Sequence, residues 1–185
     1  LCRPRRNDRP RPHSRRSERN PRHAAEFQCI RFGGGKQAVA LLCGDEFARI
    51  VFENNRNNFN STNDNNSSAD DRSDDKGAEP EAIEVASING HQYAFIGLER
   101  QGGVMVYDVT EPKSSRFVTY VNNRNFDVGV CTQVDEEGEC KNGSYNPNAG
   151  DLGPESIKYF TRLNQHFIAV ANEVSGTTSV YRIDF

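Results

Sequence analysis

The chain has 185 residues, 35% of them apolar and 26% charged, with a mean hydropathy of −0.80 and a net charge of −3. One domain fits that length, but so polar a chain has little to spare for a single large core. No run of about 20 apolar residues is present, which excludes a membrane-spanning helix.

The first 31 residues carry ten arginines against Asp8, Glu18 and Glu26, a balance of +7 that leaves −10 for the rest. The opening "LCRPRRNDRPRPHSRRSERNPRH" has no apolar periodicity, and its composition cannot offset the entropy of ordering it. The sequence therefore predicts a disordered basic arm over residues 1–43. Clustered arginines also bind phosphate, but the arm lacks the interleaved aromatics on which single-strand binders stack bases, so no nucleic-acid partner is assigned. Arg/Pro/Ser-rich text of this kind also arises from a GC-rich message read in the wrong frame, which makes a non-native origin of the arm the alternative. With Leu1 first, Met105 the only methionine and no hydrophobic anchor tail in the ending "SVYRIDF", the sequence reads as a fragment of a longer protein.

Residues 57–81, "NNFNSTNDNNSSADDRSDDKGAEPE", form an Asn/Asp/Ser-rich loop, followed by the most apolar stretch of the chain. The loop holds the sequons of Asn60, Asn65 and Asn66, and a fourth lies at Asn142 in a later loop, as glycosylation acceptors of a secreted protein should.

An internal repeat organises the remainder of the chain. A shift of 74 positions lays residues 80–110 on residues 154–184 without a gap, with seven identities: Pro80/Pro154, Glu81/Glu155, Ile83/Ile157, Glu99/Glu173, Gly102/Gly176, Val106/Val180 and Tyr107/Tyr181. Each copy reads as three short strands, at 82–88, 92–98 and 104–109 in the first and 156–160, 166–171 and 178–183 in the second, separated by polar or Gly-containing turns. "RFVTYVNN" supplies a fourth strand to the first copy. Repeated four-stranded meanders are the units of a β-propeller, so the fold class is mainly β: two propeller blades, repeats at 78–121 and 152–185, within a partial domain spanning 44–185. A two-sheet sandwich is the competing fold.

Between the copies, loop 122–153 holds "CTQVDEEGEC". Cys131 and Cys140 are placed to close it as a local disulfide, and no CxxC or histidine beside them suggests zinc.

Hairpin geometry gathers the acidic residues. The start of a first strand and the end of a second lie at the same sheet edge, so Glu81, Glu99, Glu155 and Glu173 should face one rim, joined by Asp70, Asp71, Asp74, Asp75 and Asp151 from the entering loops, with Asp64 and Asp127 near by. Crowded carboxylates repel unless a cation sits among them, and Ca2+ takes six to eight oxygens in flexible geometry. The loop does not keep EF-hand register, and its bland reading is solvated surface. Arg72, Lys76, Arg100 and Arg124 could hold an anion at the rim, though solvated surface charges are the favoured reading. No cluster of Ser, Asp and His resembles a classical alkaline phosphatase site, and His91 and His166 fall at the opposite edge.

The segments "DRSDDKGAEPEAIEVASINGHQYAFIGLERQGGVMVYDVTEP", "YVNNRNF", "AGDLGPESIKYF" and "VANEVSGTTSVYRI" together resemble the carboxyl-terminal part of the choice-of-anchor I domain family, over about residues 44–185. That family includes secreted bacterial proteins labelled alkaline phosphatases and mesenchyme-specific cell-surface glycoproteins of animals. The resemblance implies a propeller, an extracellular or cell-surface location and a link to calcium carbonate biomineralisation, with calcium or calcium mineral, extracellular matrix or a phosphate ester as partners. Two functions remain in view: a non-catalytic calcium-binding propeller protein, and a metal-dependent phosphomonoesterase of alkaline phosphatase or phytase-like kind.

Overall fold

The computed structural model describes residues 28–32, 40–136 and 140–184. It is mainly β, with antiparallel sheets of two, four and three strands. Strands β1 (Gln28–Phe32) and β2 (Ala40–Gly44) pair from Gln28↔Gly44 to Phe32↔Ala40. The arm predicted to be disordered thus contains a strand pair over part of its length, while residues 1–27 and 33–39 lie outside the described residues.

Helix α1 (Glu46–Asn54) follows. Its apolar residues Phe47, Ile50 and Val51 recur at i, i+3 and i+4, which makes one face of a helix apolar, and all three are buried. They pack on Ala94, Ile96, Leu98, Met105 and Tyr107 of the four-stranded sheet, with the Phe47 and Tyr107 rings edge to face at 5.7 Å. Full burial of such a side chain contributes about 1.5–3 kcal/mol.

The four-stranded sheet is a meander of β3 (Pro80–Ile88), β4 (His91–Leu98), β5 (Val104–Asp108) and β6 (Arg116–Val121). The three-stranded sheet runs β7 (Pro154–Arg162), β8 (Gln165–Asn172) and β9 (Thr177–Ile183) in the same order. The 74-residue shift holds at the level of individual pairs. Ile83↔Ile96 becomes Ile157↔Val170, and Tyr93↔Asp108 becomes Phe167↔Arg182. Even the irregularity is copied, with a bulge between Pro80 and Ala82 and another between Pro154 and Ser156. Both β3–β4 and β7–β8 turn through two residues at positive φ, Asn89-Gly90 and Leu163-Asn164, as two-residue hairpins with right-handed strand twist require.

Each sheet alternates, so each has two apolar faces to cover. One face of the four-stranded sheet lies under α1. The other, with Ala82, Ala86, Ile88, Phe95, Val104 and Val106, packs against Ile157, Ile168 and Val170 of the three-stranded sheet. Glu84 pins the contact, accepting from the Tyr159 backbone N–H at 3.0 Å and pairing with Lys158 at 3.1 Å. Gly97 marks the closest approach, because a Cβ there would lie 3.0 Å from Ala82 Cβ and 3.1 Å from Pro154 O. The outer face of the three-stranded sheet leaves Phe160 37% and Val180 60% exposed. A small third cluster of Val130, Ala149 and Leu152 sits beneath the 122–153 loop, with the disulfide-bonded Cys131 and Cys140 packed on it.

Candidate functional site

The bulges place the first carboxylates. Glu81 and Glu155 are the extra residues between paired neighbours, and such residues leave the ladder and re-aim their side chains at a sheet rim. Glu99 and Glu173 end the adjoining strands at the same edge. Their backbone N–H groups donate to Glu79 O and Gly153 O, both at 2.8 Å, another pair related by the repeat. Glu79 and Gly153 both take positive φ, 50° and 70°.

Glu79, Glu81 and Glu99 offer carboxylate oxygens that all lie within 4.8 Å of one another. The Glu99 carboxyl is pushed up to about 8, first by burial and then by its hydrogen bond with Glu81, with the Arg100 guanidinium pulling the other way. Burial also pushes Glu79 up, but hydrogen bonds from Lys76 and Arg100 outweigh it and hold that carboxyl below its usual range. Arg100 Nε donates to Glu79 Oε2 at 2.6 Å, and its Nη1 donates to Asn63 Oδ1 at 2.6 Å. Asn63 in turn donates from Nδ2 to Glu99 Oε1 at 2.9 Å. Glu155 extends the edge: burial raises its carboxyl, and the charges of Glu173, Glu81 and Glu79 raise it further. An all-oxygen set of this kind, one member of which holds a proton where no cation is bound, suits a hard divalent cation rather than zinc or copper.

The aspartates of the Asn-rich loop lie elsewhere. Asp70 accepts from Ser73 Oγ, Asp75 pairs with Arg72 at 3.1 Å, and Asp71 and Asp74 are exposed. None of the four joins the glutamate group. Asp151 ties the second loop to β9: it accepts from Asn123 Nδ2 at 2.6 Å, Thr177 Oγ1 at 2.6 Å and Ser179 Oγ. Burial pushes its carboxyl up, but those hydrogen bonds prevail and hold it low.

The loop is not the pliable, solvated segment that its composition suggests. Asn60, Ser61, Asn63, Asn66 and Ser68 are buried, and each side chain makes at least one hydrogen bond inside the chain, with Asn60 Oδ1 alone among them left without a partner. Asn66 donates from Nδ2 to Asn125 O at 2.9 Å and to Val128 O at 2.7 Å. Arg124, expected from the sequence to be solvated, is 6% exposed. Its Nε donates to Asn66 Oδ1 at 2.8 Å, Nη1 to Arg100 O at 2.8 Å, and Nη2 to Thr62 O at 2.7 Å and Asn65 O at 3.3 Å. The guanidinium stacks over Phe126 at 4.4 Å, and burial depresses it to about 10. Every nitrogen of the Arg124 guanidinium is engaged within the chain, so it is not placed to hold an external anion.

Burial also separates the sequons. Asn65 and Asn142 are exposed, whereas Asn60 and Asn66 are buried with their amides bonded inward, Asn60 Nδ2 to Ser73 Oγ at 3.1 Å. A glycan has no room at those two. Cys131 and Cys140 are joined by a disulfide across a Cα separation of 5.1 Å. Beside it, Asp64–Ser67, Val130 and Tyr145 line an open polar cleft of about 370 Å³. His91 sits 3.4 Å from Asp108, and Tyr159 Oη lies 2.6 Å from His166 Nδ1, both at the far ends of their hairpins from the glutamates.

Glu79, Asn63 and the bridging role of Arg100 escape a reading based on repeats, because position 79 corresponds to Gly153 and carries no acid in the second copy. The tripeptide Glu79-Pro80-Glu81 is the signal that could have found them.

The model of the choice-of-anchor I domain family matches residues 41–112, which include α1, the glutamate cluster and the first three strands of the four-stranded sheet. Over those residues the match bears out the resemblance carried by the sequence motifs. Among the described residues, no helix is long and apolar enough to cross a membrane. No curated protein and no solved structure matches the chain.

Proposed function

We propose that this choice-of-anchor I domain chain is a secreted or cell-surface calcium-binding protein of propeller build, whose acidic rim takes calcium or the surface of a calcium mineral. The observation that carries the reading is the convergence of Glu79, Glu81 and Glu99, whose carboxylate oxygens lie within 4.8 Å of one another, beside which burial and the neighbouring Glu81 push the Glu99 carboxyl up to about 8. A carboxylate cluster that retains a proton near neutrality is one whose charge a cation would relieve. Glu155 and Glu173 lie within electrostatic reach of it. The propeller is supported by two sheets of identical register that dock through opposite faces, the relation that radial repeats use. Exposed sequons at Asn65 and Asn142 and the Cys131–Cys140 disulfide favour an oxidising, extracellular setting.

Thermal melts with calcium test the proposal. One site at a hundredfold excess over its dissociation constant adds about 2.7 kcal/mol, and magnesium, which demands a tighter octahedron, should add less. Paired replacement of Glu81 and Glu155 by glutamine should raise metal-free stability and weaken the calcium response. Melts indifferent to millimolar calcium would reduce the rim to solvated surface. The phosphomonoesterase reading would use the same carboxylates and needs a proton carrier beside them; His91 and His166 are engaged elsewhere. Phosphomonoester turnover that depends on calcium would favour it over a purely binding role.

A further inference from the structure

The Asn-rich loop and the disulfide loop meet at the open polar cleft of about 370 Å³, within the size range of small-molecule sites. Asp64, Asn65 and Ser67 line one wall, and Val130, Val134 and Tyr145 line the other. The cleft shares no residue with the glutamate cluster. Both walls are held before any ligand arrives. Asn66 and Arg124 fasten the first through bonds to the Asn125, Val128 and Thr62 carbonyls. The Cys131–Cys140 disulfide and the bridges Cys131↔Tyr145 and Val134↔Cys140 fasten the second. Walls fixed in this way spare a ligand the cost of ordering them.

The polar groups on these walls have bonding capacity left over. Asp64 accepts from Thr62 Oγ1 at 2.8 Å through Oδ1, and Asn65 accepts from the Ser67 N–H at 2.8 Å through its own Oδ1. Among the described residues, Asp64 Oδ2, Asn65 Nδ2, Ser67 Oγ and Tyr145 Oη have no hydrogen-bond partner. A carboxylate, an amide and two hydroxyls therefore offer acceptors and donors together. Apolar surface lies beside them, with Tyr145 38% and Val134 59% exposed. Asp64 is the only charged residue on the described walls, so a phosphate or carboxylate ligand would meet a like charge and no cation. A neutral ligand with many hydroxyls and one apolar face fits. A pyranose ring has that form: C–H bonds cover a face that packs on an aromatic ring, and hydroxyls surround it.

We propose that the cleft is a saccharide site, in which a pyranose ring packs against Tyr145 and Val134 while its hydroxyls bond to Asp64, Asn65 and Ser67. The ring can come from two sources, a free saccharide or the glycan of the Asn65 sequon, whose acceptor atom Nδ2 belongs to the cleft wall.

Calorimetric titration of the unglycosylated full chain with cellobiose, lactose, maltose and N,N′-diacetylchitobiose tests the site. Saturable millimolar binding of at least one is expected, and none of a sulfated heparin disaccharide. Tyr145→Ala should weaken that binding at least about tenfold and Tyr145→Phe by less than about threefold, because the ring supplies the stacking. Asp64→Ala should weaken it about tenfold by removing a charged acceptor. The same titration of chain carrying a glycan at Asn65 distinguishes the sources. Lost binding of the free saccharide places that glycan in the cleft, retained binding leaves the cleft to a free ligand, and both uphold the site. Absence of binding for all four disaccharides at tens of millimolar, binding that Tyr145→Ala leaves unchanged, or stronger binding of the heparin disaccharide would each overturn the proposal. So would binding of putrescine but of no neutral saccharide, which would assign Asp64 to an amine.

Discussion

Arg124 and Asn66 lie 58 residues apart in sequence, yet Nε of the first donates to Oδ1 of the second at 2.8 Å with both side chains buried. This contact fastens the Asn-rich loop to the end of β6 and carries the backbone of Thr62 and Asn65 with it. Arg124→Met should therefore lose about 3 kcal/mol, since truncation strands several buried acceptors whose desolvation is no longer compensated. Arg124→Lys should recover little, because an ammonium lacks the planar fork that reaches the Asn-rich loop and the β4–β5 turn together. Urea unfolding of both variants measures the difference.

Protonation of Glu99 gives metal-free stability a sign with pH. Its carboxyl titrates near 4.5 when unfolded and at about 8 when folded. Between those values the folded chain binds the extra proton, so stability falls as pH rises from about 4.5 to 8 and levels off above. The depressed carboxyls of Glu79, Asp108 and Asp151 act below their ordinary range, outside this window. Glu99→Gln, which mimics the protonated form, should flatten the slope; a slope unchanged in that variant would assign it to another group.

Calcium should compete with the same proton. Binding at pH 7 is expected to release close to one proton, seen as a dependence of calorimetric heat on buffer ionisation, and apparent affinity should rise up to about pH 8 and then level off. Glu99→Gln should abolish the release. Calcium binding with no proton released in the unaltered chain would place the ion away from Glu99.

The two copies provide an internal control for packing. Gly97→Ala pushes a methyl against Ala82 and Pro154 and should lose about 1–3 kcal/mol by overpacking. The counterpart of Gly97 is Ala171, an exposed position that already carries that methyl. Thermal melts of Gly97→Ala test whether the sheet contact is as close as described.

Leu163 holds φ at 50° and is 86% exposed, in the turn position where the first copy has Asn89. Leucine is strained in the left-handed region and asparagine tolerates it. Leu163→Asn should stabilise the chain by about 1 kcal/mol, visible as a raised urea midpoint with unchanged slope.

Much of this architecture is legible in the sequence because the repeat shows itself in period-two apolar alternation and in the Pro-Glu pairs at 80–81 and 154–155. The strands and the shared edge of Glu81 and Glu99 follow from it. Helix α1 escapes that reading although Phe47, Ile50 and Val51 carry helical spacing, because it lies outside the repeat. The Asn-rich loop misleads for a physical reason: composition reports the scarcity of apolar groups, whereas Asn60 is held by Ser73, Asn63 by Glu99 and Arg100, and Asn66 by the Asn125 and Val128 carbonyls and Arg124, partners that composition does not show. Glu79 stays hidden because its counterpart is Gly153.

The docking of the sheets has a direction. Ile157, Ile168 and Val170, which meet the four-stranded sheet, correspond by the repeat to Ile83, Ala94 and Ile96, on the side that α1 serves; Phe160 and Val180, left open, correspond to the covered Ala86 and Val106. Every sheet therefore has a leading side and a trailing side, like links that engage only head to tail. α1 lies on the leading side of the first link, and the trailing side of the second is the one left open. The two links engage in one sense only, so the contact between them has a fixed polarity.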